Sequence, residues 1–294
     1  MKKTSLLKKY IYDAEILVMP GAHDALTARI VEQSGFKAVT IGGYAASACL
    51  LGQPDLSLLT LTEMVDCVRR VADAVNIPLF TDGDTGHGGV LNVRRTVKEV
   101  ERAGAAGLFI EDQVFPKRCG HMEGKDVIES EQMLAKIKAA VDARSDPDFI
   151  IMARTDALAV RGLQEAIERG TRYREAGADL IFVEAPRSIE EMRAITRGIH
   201  APTLANNIEG GKSPVLSAAE LQDIGYSVVV FPVAATYAVT KAVGDLMAEI
   251  KSTGTSAGFR DRMINFEQFS KFLGLAELLK TESRFSRPDD QPSE

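Results

Sequence analysis

Eight short apolar runs alternate with amphipathic stretches along most of the chain. They are rich in β-branched residues, which is typical of parallel strands buried on both faces. The runs cover residues 16–21, 38–43, 78–84, 107–112, 149–156, 180–185, 202–206 and 227–233. Eight strand–helix units predict an α/β fold, a closed (β/α)8 TIM barrel. An open doubly wound sheet is the alternative, but no G-x-G-x-x-G follows any run.

The length of the chain suits one domain of this kind. It has 294 residues, and no low-complexity linker divides them. We therefore predict a single barrel domain over residues 1–294. A helical segment at about 237–280 extends beyond the eight repeats, and its apolar residues favour packing on a partner subunit. The polar tail, residues 283–294, is predicted to be disordered.

Net charge and cysteine content narrow the class of protein. The net charge of −6 argues against a nucleic-acid-binding protein. No apolar run reaches the roughly 20 residues of a membrane-spanning helix, and the N-terminus does not resemble a signal peptide. Three widely spaced cysteines do not form a disulfide framework. We expect a cytoplasmic protein without nucleic-acid or membrane partners.

Ionisable residues follow four consecutive predicted strands at the point where each strand ends. Asp82 and Asp84 follow the third, Glu111 the fourth, Arg154 the fifth and Glu184 the sixth. The carboxyl ends of barrel strands surround the mouth where active sites lie. Three bare carboxylates on neighbouring strands would repel one another, and a hard cation such as Mg²⁺ would relieve that repulsion. Helix capping or salt bridging by these acids is the alternative.

A long polar loop follows the fourth predicted strand. It places Lys117, Arg118, Cys119 and His121 within five residues. The neighbouring cations predict a lowered pKa for the cysteine and a partly ionised thiol. Gly120 allows the loop to bend, as a mobile lid that carries a thiol to a substrate would. The alternatives are a structural zinc site, for which a second Cys or His pair is missing, and a solvated basic loop.

The motifs of this chain resemble those of the isocitrate lyase/phosphoenolpyruvate mutase superfamily. The matching segments are PGAHDALTARI, GGYAASACLLGQPDLSLLT, TDGDTGHGG, GLFIEDQ, PKRCGH, IIMARTDA, VEA and ANNIEGGKSP. They run from residue 20 to beyond 230, and PKRCGH is the segment most specific to the lyase branch. The resemblance implies a modified barrel whose eighth helix swaps between subunits of a homo-oligomer, with a homotetramer expected.

The resemblance also implies roles for individual residues. Mg²⁺, with Mn²⁺ as the alternative, is expected at Asp84, with Asp82 and Glu111 holding its waters and Asp55 farther out. The expected substrate is a small 2-hydroxy-dicarboxylate cleaved between C2 and C3, with Cys119 as the general acid. The other expected catalytic residues are Lys117, His121 and Arg154. The expected substrate-binding residues are Gly42, Gly43, Tyr44, Gly120, Glu184, Asn206 and Pro232.

Two motif variants bear on the substrate. Methylisocitrate lyases usually read N-x-T-E-F-G after the seventh strand and S-G-[GA] after the second, whereas this chain reads NNIEGG and GGYAAS. Those variants resemble the branch of 2,3-dimethylmalate lyase and petal death protein. Ile208 replaces a threonine that would contact a third carboxylate, so the resemblance favours a 2-alkylmalate lyase that forms pyruvate and propionate from 2,3-dimethylmalate.

Four alternatives stay open at this point. The nearest is 2-methylisocitrate lyase, which forms pyruvate and succinate. A phosphonomutase-type isomerase would have no use for Cys119 as a carbon acid. An oxaloacetate hydrolase tends to carry a serine near the position of Pro232. A non-catalytic barrel would be expected to have lost some of the site residues.

Overall fold

A computed structural model describes residues 1–286 and confirms the α/β fold with parallel strands. Each strand lies inside one of the runs predicted from the sequence. The strands are β1 (Leu17–Pro20), β2 (Val39–Ile41), β3 (Leu79–Asp82), β4 (Gly107–Glu111), β5 (Ile150–Thr155), β6 (Leu180–Val183), β7 (Leu204–Asn206) and β8 (Val228–Phe231).

The eight strands follow one another around a closed ring. Continuous ladders join β2 through β6 in chain order and join β1 to β8 and β8 to β7. Single parallel bridges, Gly21 to Thr40 and Ile181 to Thr203, complete the ring between β1 and β2 and between β6 and β7. All strands are parallel, so all their carboxyl ends lie at the same end of the barrel.

The helices between the strands pack on the outside of the barrel. In α5, Val93, Val97 and Val100 are fully buried, as the 3.6-residue periodicity predicts. The helices are α1 (Lys3–Ile11), α2 (Ala25–Gln33), α3 (Gly43–Leu51), α4 (Leu61–Ala74), α5 (Val90–Arg102), α6 (Ser130–Ala143), α7 (Ala157–Arg161), α8 (Leu163–Glu175), α9 (Ile189–Gly198), α10 (Ala218–Ile224), α11 (Ala234–Thr253), a 3₁₀ turn (Ala257–Arg262), α12 (Phe266–Phe272) and α13 (Leu275–Ser283).

The apolar core fills the barrel and leaves only one of its ends for a site. Leu7 and Ile11 of α1 are buried in the same cluster as the inward-facing Leu17, Ile150 and Leu180. The helix therefore packs against the apolar interior at the amino-terminal ends of the strands, where Lys3 and Lys8 contact Val75 and Asp148. The carboxyl ends of the strands, by contrast, carry the polar residues described below.

The chain divides into two compact units, Met1–Tyr237 and a second that begins at Ala238. The second unit exposes apolar side chains on α11, α12 and α13, among them Val243, Phe266 and Leu278. A partner subunit would cover such a surface. The swapped helix and the tetramer stay predictions, and light scattering in solution would test the tetramer. Most of the predicted disordered tail, residues 287–294, lies outside the described residues.

The search for membrane spans covered residues 1–286. None of the helices there is both long and apolar enough to cross a bilayer.

Candidate active site

A cavity opens at the carboxyl ends of the strands, and it brings together most of the predicted site residues. Its wall includes Gly42, Gly43, Tyr44, Asp82, Lys117, Cys119, Gly120, His121, Arg154, Glu184, Asn206 and Pro232. Two predicted metal-site residues, Asp84 and Glu111, are not part of the wall as far as residues 1–286 describe it. Glu111 is completely buried.

The ends of β2, β3 and β4 are joined through Asp82. One oxygen of its carboxylate accepts a hydrogen bond from the backbone N–H of Gly43 at 2.8 Å, and the other from that of Asp84 at 2.7 Å. The backbone N–H of Glu111 in turn donates to the carbonyl of Asp84 at 3.0 Å. A Cβ atom at Gly43 would lie 2.8 Å from the Asp82 carboxylate, so this approach requires glycine.

Lys117 reaches into this group of acids from the loop after β4. Its Nζ lies 2.6 Å from Asp55 and 3.6 Å from Asp84, and its side chain is 3 % exposed. Burial alone would lower the pKa of Lys117, but the carboxylates of Glu111, Asp82 and Asp84 outweigh it and raise that pKa well above its usual value. Lys117 therefore stays charged and anchors the start of the loop to the barrel.

We use the name acidic corner for Asp55, Asp82, Asp84 and Glu111. Across residues 1–286, no three Asp, Glu, His or Cys side chains form a cluster that would hold a metal ion without other ligands. Mg²⁺ does not require one, because it often takes one or two carboxylates and completes its shell with water and substrate oxygens. The expected arrangement, with Asp84 as the direct ligand, is of this kind.

The state of Glu111 indicates that the acidic corner fits a cation. Both of its carboxylate oxygens are buried, and neither accepts a hydrogen bond from the described part of the chain. Burial raises the pKa of Glu111 well above its usual value, although Arg154 and Lys117 oppose the rise. A buried carboxylate without hydrogen bonds is costly, and water held by a bound divalent cation would supply the missing donors.

Arg154 is the centre of a second group, the arginine cluster, which also contains Glu111, Asp156 and Glu184. Its Nε and Nη2 donate to Asp156 at 2.9 and 3.2 Å. Nη2 also lies 3.0 Å from Glu184, and Nε lies 3.3 Å from Glu111. The guanidinium stands 5.2 Å from the centre of the Phe182 ring, a cation–π contact that fixes its plane.

Asp156 belongs to the site although the sequence analysis assigned it no role. Its backbone N–H donates to the buried carboxylate of Asp112 at 2.9 Å. Asp112 also accepts from Tyr173 at 2.8 Å and from Arg169 at 3.1 Å, which lie on α8. The end of β5 is thereby fixed to α8. In the sequence, the only indication that Asp112 and Asp156 belong to the site is their position at the ends of predicted strands.

The loop that carries Cys119, residues 113–125, is named the lid here. The prediction of a lowered cysteine pKa is wrong. Burial raises the pKa of Cys119, and the backbone N–H of His121 and the charge of Arg154 oppose the rise without reversing it. Lys117 is paired with Asp55, and Arg118 donates to the carbonyl of Glu123 at 3.1 Å, so neither adjacent cation stabilises a thiolate.

His121 is held by the loop after β7. Its Nδ1 accepts a hydrogen bond from the backbone N–H of Lys212 at 2.8 Å, and its Nε2 lies 3.2 Å from Glu184. Because Nδ1 is an acceptor, the proton of the neutral ring lies on Nε2, which is buried and makes no hydrogen bond within residues 1–286. Burial alone would raise the pKa of Glu184, but Arg154 and His121 lower it to about 2.

Part of the cavity wall is apolar. It includes Ile208 after β7 and Pro232 and Val233 after β8, beside Tyr44. The side-chain amide of Asn206 donates to Glu184 at 3.4 Å, and its oxygen is buried without a partner among residues 1–286. A ligand in this cavity therefore meets both charged and apolar side chains.

Comparison with known proteins decides the family. A family model described as phosphoenolpyruvate phosphomutase matches residues 7–251. The chain is 46 % identical to 2,3-dimethylmalate lyase of Eubacterium barkeri over 286 residues, with 97 % of this chain and 99 % of that protein covered. The chain belongs to the phosphoenolpyruvate mutase/isocitrate lyase superfamily. This assignment confirms the resemblance recognised in the motifs.

Other members of the superfamily match at similar levels. Carboxyvinyl-carboxyphosphonate phosphorylmutase of Arabidopsis thaliana is 46 % identical, with 95 % of this chain and 83 % of that protein covered. A 2-methylisocitrate lyase of Aeropyrum pernix is 41 % identical, with 97 % of this chain and 92 % of that protein covered. A crystal structure of 2,3-dimethylmalate lyase matches with a TM-score of 0.92 and 32 % identity, over 100 % of this chain and 99 % of that one. The lyases among these relatives confirm the predicted carbon–carbon lyase class.

Proposed function

We propose that this protein is a Mg²⁺-dependent lyase that cleaves a 2-alkylmalate, with 2,3-dimethylmalate as the preferred substrate and pyruvate and propionate as products. The observation that carries the proposal is the mixed charged and apolar lining of the cavity. Arg154 and Cys119 line it together with the apolar side chains of Ile208, Pro232 and Val233. A dicarboxylate with methyl groups matches both the charged and the apolar residues of this lining, whereas a third carboxylate would be buried against apolar side chains.

The metal is proposed on the chemistry of the acidic corner. The ammonium of Lys117 lies 2.6 Å from Asp55 and 3.6 Å from Asp84, and the buried carboxylate of Glu111 accepts no hydrogen bond from the described residues. A phosphonopyruvate hydrolase with 29 % identity and a TM-score of 0.88 was solved with oxalate and Mg²⁺. In this chain Asp84 would hold the ion, with Asp82 and Glu111 orienting its waters. A bound divalent cation supplies a Lewis acid for the substrate oxygens.

Arg154 orients the substrate and stabilises negative charge. Its Nε and Nη2 are paired with acids of the arginine cluster, and Nη1 has no partner among the described residues. That N–H group is available to a substrate carboxylate. Because the surrounding acids and Phe182 hold the guanidinium in place, little reorganisation is needed when charge develops.

Cys119 supplies the proton that completes the cleavage. When a base takes the proton of the 2-hydroxyl and the C2–C3 bond breaks, C2 becomes the ketone carbon of pyruvate, and the electron pair of the bond remains on C3. The thiol of Cys119 transfers its proton to C3, which yields propionate. The raised pKa of Cys119 keeps the proton on sulfur at neutral pH. The lid covers the carbanion and excludes water from it.

Release of a 2-oxo acid from a panel of substrates tests the proposed function. We expect pyruvate from 2,3-dimethylmalate in a lactate-dehydrogenase-coupled assay. Chelation with EDTA is expected to abolish turnover, and excess Mg²⁺ or Mn²⁺ to restore it, because the acidic corner cannot polarise the substrate without a cation. The panel includes 2-methylisocitrate, oxaloacetate and a carboxyphosphonate. Turnover of the carboxyphosphonate alone, with no cleavage of any malate, would contradict the proposed lyase activity and favour a phosphorylmutase activity.

The variant Ile208→Thr is expected to shift selectivity toward a tricarboxylate. A hydroxyl in this wall gives a third carboxylate a hydrogen-bond donor and removes apolar contact with a methyl group. We expect the ratio of kcat/KM for 2-methylisocitrate over 2,3-dimethylmalate to rise by about 10- to 100-fold.

Ile208→Val serves as the matched control for that variant, since it shortens the side chain without adding a polar group. Its selectivity should stay near that of the wild type. An equal change in both variants would assign the effect to size and contradict the polarity argument.

A further inference from the structure

Lys125 lies at the end of the lid, and its ammonium is buried between the lid and the arginine cluster. The side chain is 3 % exposed, and its Nζ lies 2.8 Å from an oxygen of Asp156, which is itself fully buried. The same Nζ donates to the backbone carbonyl of Gly120. Burying an ammonium group is costly unless its partners are well placed, so this contact fixes the position of the Gly120 carbonyl.

Asp156 connects Lys125 to the proposed substrate-binding arginine. One of its oxygens accepts from both Lys125 and the Nη2 of Arg154, and the other accepts from Nε. The lid backbone rests directly on this cluster, because a Cβ atom at Gly120 would lie 2.4 Å from both Arg154 and Glu184. A continuous set of polar contacts thus runs from Arg154 through Asp156 and Lys125 to the residue that follows Cys119.

Cys119 lies between two anchored points of the lid. On its N-terminal side, Lys117 is fixed by the ion pair with Asp55 at 2.6 Å. On its C-terminal side, the Gly120 carbonyl is fixed by Lys125. Removal of Lys125 frees the Gly120 carbonyl and leaves the side chain of His121 as the nearest contact that holds the lid on this side.

We propose that Lys125 is a positioning residue, which sets the Cys119 thiol over the substrate by holding the Gly120 carbonyl against Asp156. The proposal rests on the proposed function, in which Cys119 is the general acid. Its effect is on geometry rather than on binding, since Lys125 contacts the lid and Asp156. A misplacement of about 1 Å at a reacting group can lower a rate by roughly 100-fold.

The variant Lys125→Met tests this proposal, since methionine keeps the length of the side chain and removes the ammonium. We expect kcat for pyruvate release to fall by about 10- to 100-fold, with KM changed by less than about threefold. The decisive comparison is a double-mutant cycle with Cys119→Ser. If Lys125 acts through the thiol, Lys125→Met causes no further loss in the Cys119→Ser protein. An equal loss in both backgrounds overturns the proposal.

Glu123→Gln is the matched control within the lid. It removes the ion pair between Lys212 and Glu123, whose side chain is 89 % exposed, and kcat is expected to stay within about twofold because such pairs contribute little. A loss equal to that of Lys125→Met would overturn the specific role of Lys125. If Lys125→Met does not fold, Lys125→Gln, which replaces the ammonium by a neutral amide on a shorter side chain, takes its place in the cycle.

A second measurement is independent of the substrate. Alkylation of Cys119 by iodoacetamide is followed by mass spectrometry of the peptide that contains it, which separates it from Cys49 and Cys67. Release of the lid in Lys125→Met is expected to raise the alkylation rate of Cys119 by about tenfold. An unchanged rate overturns the proposal even if no alkylmalate is cleaved. A raised rate without lyase activity would contradict the proposed function and leave the role of Lys125 in place.

Discussion

Replacement of Cys119 by alanine is expected to lower kcat for pyruvate release from 2,3-dimethylmalate by about 10²- to 10⁴-fold, the usual contribution of a general acid. KM should change little, because the thiol acts after the substrate is bound. The same lactate-dehydrogenase-coupled assay measures both constants. Serine at this position should restore little activity, since a hydroxyl is a much weaker acid than a thiol.

The pH dependence follows from the direction of the pKa shift. Burial raises the pKa of Cys119, so the thiol holds its proton at neutral pH and loses it only as the pH rises through this raised value. We therefore expect kcat to fall on the alkaline side in the wild type. That alkaline fall should be missing from the residual activity of Cys119→Ala.

Cys49→Ser provides the control, because Cys49 is exposed on α3 and does not line the cavity. Its kcat should match that of the wild type. If Cys119→Ala retained full turnover while Cys49→Ser behaved as expected, the proposed proton donor would be wrong. The isomerase alternative, which needs no carbon acid, would then be favoured.

The barrel could be predicted from the sequence because its signal is local. Each strand is a short run of apolar residues, and the 3.6-residue repeat of Val93, Val97 and Val100 marks a helix by itself. Ionisable residues at several strand ends then had to meet at one end of a parallel barrel. Asp82, Arg154 and Glu184 do line one cavity there.

The parts of the site that the sequence did not predict depend on contacts between distant segments. The cations near Cys119 predicted a thiolate. Lys117 instead pairs with Asp55, which is 62 positions away along the chain. Burial is then the main influence on the pKa of Cys119 and raises it. Nothing near Lys125 in the sequence indicates that its ammonium meets Asp156. Such pairings depend on the path of the lid over the barrel, which local patterns do not encode.

Arg154→Met is expected to cause the largest loss of stability among these variants. It removes the guanidinium and leaves the buried carboxylates of Glu111, Asp156 and Glu184 without their shared partner. Breaking a buried ion pair from one side usually lowers the free energy of unfolding by about 3–5 kcal/mol. Urea denaturation at neutral pH measures that free energy, and pyruvate release should be undetectable.

The sign of the pH effect provides a second observation on the same variant. Arg154 and His121 lower the pKa of Glu184 to about 2 against the opposing effect of burial, so Glu184 stabilises the native protein above its unfolded pKa of roughly 4.3. That stabilisation disappears as the pH falls toward about 2. The stability difference between the wild type and Arg154→Met should therefore be full at neutral pH and shrink in acid.

Arg154→Lys separates stability from catalysis, since it keeps a charge among the acids but loses the planar set of donors. We expect this variant to recover much of the stability lost in Arg154→Met, because an ammonium still compensates the buried carboxylates. The value of kcat/KM should nevertheless remain about 10²- to 10³-fold below that of the wild type, as for removal of one aligned donor. Wild-type turnover in Arg154→Lys would mean that the arginine cluster serves the fold and not the reaction.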